Sequence, residues 1–255
     1  MAIEDIRKSI PKHPTRKWGR RNLTKIRRIW VHCTAGTNQN PNDTAAYHIK
    51  PSRPAVTACP ACGNKTKYAK MKRFRRKKVT CECGCRFTVK PRHKNHISSR
   101  GAPGVCYHDY IRGDGQVFRC NDYESITWHT KGWNRAGVGV VLAFQGQTGQ
   151  IPPSPQFSAL IQHVAKLCLY LKVSPVNVKG HRESLAIPGG KGPVRYKKAC
   201  PGMGINLDML RHLVTIRVQK LLADHGYYKG VLSGAWDAAS QDALNRFNPN
   251  AIRKS

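Results

Sequence analysis

The chain has 255 residues, and its 40% hydrophobic content is enough for a packed core, which excludes wholesale disorder. Its 45 Lys and Arg against 13 Asp and Glu give a net charge of +32, which points to a polyanionic partner. No segment is apolar for long enough to span a membrane, and the N-terminus lacks the apolar core of a signal peptide, so we expect synthesis in the cytoplasm. Ten cysteines in such a chain are expected to be metal ligands or buried thiols rather than disulfides.

The first elements in chain order are a basic segment, a strand and a helix. Residues 1–25 carry little periodicity and are predicted to be a loosely packed basic arm, with room for one short helix. The apolar run 26–31 predicts a strand that delivers His32 at its end. A helix is predicted over 41–50, with Asn42 or Asp43 as its N-cap.

The pattern is interrupted over 54–94 and then resumes. Further elements are predicted as a hairpin over 106–119, a buried strand over 137–144, a helix over 154–171, a short strand over 176–178 and a helix from 207. The predicted fold class is therefore α/β, with a mixed central sheet flanked by helices. The domain organisation predicted is a main domain over 26–211, an inserted unit over 54–94, and a small helical unit over 212–255.

Three residues that are far apart in the sequence have the composition of a catalytic metal site. His32 follows an apolar run in WVHCTAG, His181 follows another in VKGHRES, and Cys200 precedes a helix in YKKACPG. Two imidazoles and a thiolate bind zinc well and leave the fourth tetrahedral position open for water. Each residue alone would more often be a buried or surface side chain, so the prediction depends on all three together.

These blocks, with YHDYIRGDGQV and WHTKGWNRAGVGVVLAFQG between them, resemble the zinc-dependent N-acetylmuramoyl-L-alanine amidases of the phage-lysozyme and peptidoglycan-recognition type. The blocks follow the family's order over about 26–211, apart from the insertion. The resemblance implies hydrolysis of the amide between N-acetylmuramic acid and L-alanine in bacterial peptidoglycan. It also implies that His32, His181 and Cys200 hold the catalytic zinc.

The same resemblance implies roles for four further residues. Tyr107 and Lys198 match the family's catalytic tyrosine and lysine, and either of them could handle the proton. His129 matches a histidine that lines the substrate groove, and Asn134 is a second candidate for substrate contact. His108 follows Tyr107 in an extended segment and is expected to point to the opposite face, in a structural role.

The inserted unit carries a second set of thiols with metal-ligand spacing. Cys59 and Cys62 form a CxxC pair, and they are followed by a CxCxC group. We predict a structural zinc held by Cys59, Cys62, Cys81 and Cys83, with Cys85 as an alternative ligand. Four thiolates would close the coordination shell, as in a zinc ribbon.

The inserted unit is also strongly basic. Residues 65–94 contain thirteen Lys and Arg against one Glu, and Tyr68 and Phe74 are interleaved with these charges. Anionic polymers of the wall or outer membrane are the partners we expect for this surface. The alternative function is a nucleic-acid-binding regulator that uses the basic ribbon on an amidase scaffold.

The C-terminal segment 218–248 resembles a small helical peptidoglycan-binding repeat, with a Gly-Tyr-Tyr-Lys-Gly turn between two helices. The alternative is a helical pair that packs on the main domain. The whole chain is therefore predicted to be a monomeric phage endolysin, kept in the host cytoplasm before lysis and then acting on the cell wall.

Overall fold

The computed structural model describes residues 2–34, 36, 40–50, 55–68, 77–89, 98, 100–146, 149–188 and 199–254. Within these ranges no helix is both long and apolar enough to cross a bilayer. The strands in chain order are β1 (Ile3–Asp5), β2 (Gly19–Arg20), β3 (Arg28–Cys33), β4 (Ala55–Ala58), β5 (Lys65–Tyr68), β6 (Lys77–Thr80), β7 (Arg86–Val89), β8 (Asp109–Ile111), β9 (Val117–Arg119), β10 (Ser125–Ile126), β11 (Gly137–Leu142) and β12 (Val178–Gly180). The α-helices are α1 (Pro41–Ile49), α2 (Ser154–Leu171), α3 (Leu207–Asp224) and α4 (Ala238–Arg246).

Six strands form the central sheet, in the order β1-β9-β8-β11-β3-β12. Neighbouring strands run parallel, except that β8 and β9 form an antiparallel hairpin. All six residues of β11 are buried, as expected for a central strand covered on both faces. The predicted fold class, a mixed α/β fold with a central sheet flanked by helices, is confirmed.

The N-terminal segment is packed into the fold rather than forming the loose arm that the sequence predicts. Strand β1 pairs in parallel with β9 at the edge of the sheet. Ile6 and Ile10, spaced one helical turn apart, are buried in a cluster with Tyr110 and Val141. The few apolar residues of this segment stand among many basic ones, so its sequence gives little sign of packing. Ile6 and Ile10 nevertheless pack it against the sheet.

Helix α2 begins and ends at the predicted residues. Its apolar face, which includes Leu160, Val164 and Cys168, packs in the main hydrophobic core between the sheet and α3. Helix α1 also lies where it is predicted, but its N-cap is Asn40, whose Oδ1 accepts the backbone N–H of Asn42 at 2.8 Å. The capping residue therefore lies just outside the predicted segment.

The described part of the insertion consists of two antiparallel hairpins, β4–β5 and β6–β7. Gly63 and Gly84 take positive φ angles of 71° and 82°, one next to each group of cysteines. Each of these tight turns brings backbone and thiols close together, which is the local geometry that zinc knuckles use.

The C-terminal unit shares a core with the main domain. Helix α3 runs unbroken through the predicted boundary between 211 and 212, and Val218 and Leu222 belong to the same hydrophobic cluster as α2. The ammonium of Lys172, the residue after α2, donates to the carbonyl oxygens of Leu244 and Asn245 at 2.6 and 3.1 Å. Apolar packing and polar contacts thus join α2 to the end of α4.

Candidate active site

The candidate site lies at the carboxyl ends of the parallel strands β3 and β12. His32 is the fifth residue of β3, opposite Val141 of β11, and only 1% of its surface is exposed. The strand extends to Cys33, so His32 lies within it. The sequence predicts a strand over 26–31, which would end one residue before His32. The backbone of the central sheet therefore fixes the position of this imidazole.

His181 follows directly after β12 and begins a short 3₁₀ turn, His181–Leu185. Its ring centroid is 4.6 Å from that of His32. The carboxylate of Glu183 accepts the backbone N–H of Gly180 at 2.8 Å and a hydrogen bond from Arg211 of α3. These contacts hold the segment that carries His181 between β12 and α3.

Cys200 approaches from a loop on the same side. The backbone N–H of Cys33 donates to its Sγ at 3.3 Å, and its own carbonyl accepts the N–H of Arg182 at 2.7 Å. The guanidinium of Arg182 also donates to the carbonyls of Gly202 and Ile205. The loop is therefore attached to both β3 and the segment after β12.

These three side chains are arranged so that they could hold one metal ion. One donor atom from each of His32, His181 and Cys200 lies within 4.8 Å of the others, and His32 Nδ1 is 3.7 Å from Cys200 Sγ. Zinc bonds of about 2.0 Å to nitrogen and 2.3 Å to sulfur place such atoms about 3.5 Å apart in a tetrahedron. The donor set and its spacing therefore fit zinc.

Tyr107 lies beside this cluster, with its ring centroid 5.1 Å from that of His32. Its backbone carbonyl accepts a hydrogen bond from Asn121, and the ring of His48 in α1 lies 5.8 Å away. Burial raises the pKa of Tyr107 well above its ordinary value, with a smaller contribution from the nearby thiols. The phenol therefore keeps its proton and can donate a hydrogen bond at neutral pH.

His129 and Asn134, the predicted substrate contacts, both meet Thr130. His129 is 5% exposed, and its Nδ1 lies 3.0 Å from the Thr130 hydroxyl, while its Nε2 lies 3.1 Å from the carbonyl of Gly137. Asn134 Oδ1 accepts the backbone N–H of Thr130 at 2.7 Å. Substrate contact by His129 and Asn134 stays a prediction, and the contacts seen here are internal.

His108, expected to have a structural role, is fully buried directly before β8. Its Nδ1 accepts the backbone N–H of Gly139 at 3.0 Å, and its Nε2 donates to the carbonyl of Ser125 at 2.9 Å. Burial, with smaller contributions from His129 and Arg21, lowers the pKa of His108 well below its ordinary value. This imidazole is a neutral part of the scaffold beneath the site.

Lys198, predicted as a catalytic residue, lies outside the described residues. Two residues that sequence reasoning passed over are Thr130, whose hydroxyl is 3.3 Å from His32 Nε2, and Glu183. Only Glu183 had a usable signal, since an acid in the first turn of a helix can accept the backbone N–H of the residue before that turn, as it does here with Gly180. Nothing in the sequence around Thr130 distinguishes it from other buried threonines.

The insertion contains a second group of candidate metal ligands. One Sγ from each of Cys59, Cys62, Cys81 and Cys83 lies within 4.8 Å of the others, and the pairs Cys59–Cys83 and Cys62–Cys81 are each 3.6 Å apart. Tetrahedral zinc thiolates with bonds of about 2.3 Å have sulfurs about 3.8 Å apart. This spacing fits a closed four-thiolate site, and Cys85 is not a member of the group.

The sheet and the cluster of His32, His181 and Cys200 define a mixed α/β protein with a candidate metal centre at the carboxyl ends of parallel strands. The sequence matches the N-acetylmuramoyl-L-alanine amidase family over residues 22–203, and the chain belongs to this family. No curated protein sequence matches it.

Two solved structures share the fold, and a third resembles the chain with a lower TM-score. The Ph2119 endolysin from the Thermus scotoductus MAT2119 bacteriophage Ph2119 is 17% identical with a TM-score of 0.51, covering 84% of this chain and 99% of its own. The peptidoglycan recognition protein-LE in complex with tracheal cytotoxin is 12% identical with a TM-score of 0.50, covering 82% and 92%. The amidase LysC from Clostridium intestinale URNW is 15% identical with a TM-score of 0.49, covering 83% and 95%. At these identities the likeness concerns the fold alone.

Proposed function

We propose that this protein is a zinc-dependent N-acetylmuramoyl-L-alanine amidase that acts as a phage endolysin on bacterial peptidoglycan. The observation that carries the proposal is the cluster of His32, His181 and Cys200, with Tyr107 beside it, in a chain of the amidase family. The endolysin and the recognition protein that share its fold support peptidoglycan as the substrate class.

The proposed chemistry is divided between the metal and the side chains around it. His32, His181 and Cys200 would hold a zinc ion, which would act as a Lewis acid and would lower the pKa of a water molecule to about 7. Tyr107 is proposed to donate a hydrogen bond to the oxygen of the scissile amide as negative charge develops there, because its raised pKa keeps the phenol protonated. Lys198 is proposed to share this role, on the strength of the family resemblance.

Two other parts of the chain are proposed to support activity without chemistry. A structural zinc bound by Cys59, Cys62, Cys81 and Cys83 would hold the two hairpins of the insertion together, since so short and charged a segment has little core of its own. The basic surface of this unit is proposed to bind anionic wall polymers. The C-terminal unit is proposed to bind peptidoglycan and so to raise the local substrate concentration.

The test uses purified, zinc-loaded protein and isolated peptidoglycan, with new amino termini at L-alanine counted over time. Activity should disappear with a chelator, return with zinc, and be absent in His181→Ala. His13→Gln, which changes a half-buried histidine of the N-terminal segment, is the control and should retain activity. Solubilisation of the wall without new alanine amino termini would sink the proposal.

A further inference from the structure

The hydroxyl of Thr130 lies between two imidazoles at the candidate metal site. Its Oγ1 is 3.0 Å from His129 Nδ1 and 3.3 Å from His32 Nε2. All three side chains are buried, with exposed fractions of 1% for Thr130, 5% for His129 and 1% for His32. Groups buried in this way depend on one another for hydrogen bonds, because water has little access to them.

The direction of the hydrogen bonds along this row follows from its far end. His129 Nε2 lies 3.1 Å from the carbonyl of Gly137, and a carbonyl oxygen can only accept, so this nitrogen carries the proton. The ring is buried, and its hydrogen-bond partners in the described part of the chain are the Thr130 hydroxyl and the Gly137 carbonyl, with no carboxylate to balance a second proton, so it is a neutral imidazole with one N–H. His129 Nδ1 is therefore an acceptor.

The remaining steps follow in order. Thr130 has one hydroxyl proton, and it is donated to the acceptor nitrogen of His129. The Thr130 oxygen is then left as the acceptor for His32, so His32 carries its proton on Nε2. The lone pair of His32 Nδ1 is directed to the side on which Cys200 Sγ lies, 3.7 Å away.

We propose that Thr130 is a positioning residue that selects the Nε2-protonated tautomer of His32 and thereby presents Nδ1 as the metal-binding nitrogen. The proposal rests on His32 being a metal ligand, as proposed above. The row of hydrogen bonds from the Gly137 carbonyl through His129 and Thr130 to His32 gives His129 a defined role within the scaffold of the site.

Two neighbouring contacts keep this row in place. Asn134 Oδ1 accepts the backbone N–H of Thr130 at 2.7 Å, which fixes the segment that carries the hydroxyl. Gly139 lets the His129 ring lie directly against β11, since a Cβ at this position would be 2.7 Å from His129 Cγ. The contacts that select the tautomer of His32 are therefore held in place by the sheet and by the loop beside it.

The first test needs no variant. In the metal-free protein, imidazole ¹⁵N shifts should show His32 and His129 both protonated on Nε2. A His32 protonated on Nδ1 would overturn the proposal. This readout does not involve peptidoglycan, so it stands apart from the test of amidase activity.

The second test removes the hydroxyl. Thr130→Val should weaken zinc binding at this site by roughly 10–100-fold and lose the tautomer preference of His32, whereas Thr130→Ser should behave like the wild type. Zinc affinity is measured by competition with a chromophoric chelator, and His181→Ala identifies the zinc equivalent that belongs to this site.

The matched control is Thr127→Val. Thr127 is also fully buried, and its hydroxyl is 3.2 Å from Nδ1 of His108, which is not a candidate ligand. Thr127→Val should cost stability and leave zinc affinity unchanged. The proposal would be overturned if Thr130→Val bound zinc as tightly as the wild type and kept the same His32 tautomer. It would also be overturned if Thr130→Val and Thr127→Val lost zinc affinity to the same extent.

Discussion

Arg211 in α3 donates to both carboxylate oxygens of Glu183, at 3.1 and 3.2 Å, two residues beyond the candidate ligand His181. The same carboxylate accepts the N–H of Gly180. One side chain therefore connects α3, the end of β12 and the turn that carries His181.

Glu183→Ala should lower the free energy of unfolding by about 1–3 kcal/mol, because it leaves the Gly180 N–H and the Arg211 guanidinium without this acceptor. It should also weaken zinc retention at the candidate site. Chemical denaturation and zinc competition measure the two effects. Asp208→Ala is the matched control: Asp208 is the other acidic partner of Arg211, but its side chain is 91% exposed, so its loss should change stability little.

Tyr107→Phe should reduce kcat on peptidoglycan roughly 10²–10³-fold, the usual effect of losing one donor to a developing oxyanion. Zinc affinity should not change, since the phenol is not among the candidate ligands. Steady-state kinetics alongside zinc competition separates the two. Tyr170→Phe, at a half-buried tyrosine of α2, is the control, and a Tyr107→Phe enzyme with full kcat would remove Tyr107 from the proposed chemistry.

The two cysteines Cys62 and Cys85 offer a matched pair in the insertion. Cys62→Ser should release one equivalent of zinc, since its Sγ belongs to the four-thiol group, whereas Cys85→Ser should retain it. Metal content after dialysis gives the count for each variant. Loss of zinc from Cys85→Ser with retention in Cys62→Ser would reassign the ligands.

Stability should depend on pH through the buried imidazoles His108 and His129. Both have folded-state pKa values below that of an unfolded histidine, about 6.5, and that of His129 is lowered to about 3. The unfolded chain therefore binds protons more readily than the folded chain. The stability that the two neutral histidines contribute is complete above pH 6.5 and is lost as the pH falls towards 3. The expected slope approaches about 1.4 kcal/mol per pH unit for each histidine.

Urea unfolding between pH 7.5 and 4.5, with a chelator present, measures this slope. His225→Gln, which removes an exposed imidazole, should follow the wild-type curve. A free energy of unfolding that stays constant over this range would show that the buried histidines are not kept neutral.

Lys172→Met should lower stability by about 1 kcal/mol, because the carbonyls of Leu244 and Asn245 lose a charged donor. Hydrogen exchange should become faster in α4 and stay unchanged in the central sheet. Lys220→Met is the control, since Lys220 pairs with the exposed Asp224 on one helix face and such pairs contribute little. Equal exchange rates in α4 for both variants would contradict the expectation.

The sequence predicted the elements whose patterns are strong. Helix α2 has a complete apolar face and β11 an uninterrupted apolar run, so their positions could be read directly. Strand β1 has only three exposed residues, and its place is set by pairing with β9, which no local pattern reveals.

The candidate site divides in a similar way. His32 and His181 could be proposed as ligands because each follows an apolar run, within a block that resembles the amidase family. Thr130 and Arg182 could not, because they act through contacts with residues distant in the sequence, and such contacts depend on the folded loops. The sequence favours Cys83 over Cys85 without excluding either, and the close approach of Cys83 to the other three thiols becomes visible only in the folded hairpins.

Helix α3 has a consequence for attempts to build hybrid enzymes from this chain. Its first turns contact the candidate site through Arg211, and its later turns hold the C-terminal unit through Val218 and Leu222. A splice at residue 211 would cut a single helix and leave apolar surface bare on both halves. A transplantable targeting unit would have to begin before residue 207, or the recipient would have to supply a helix that presents the same two faces.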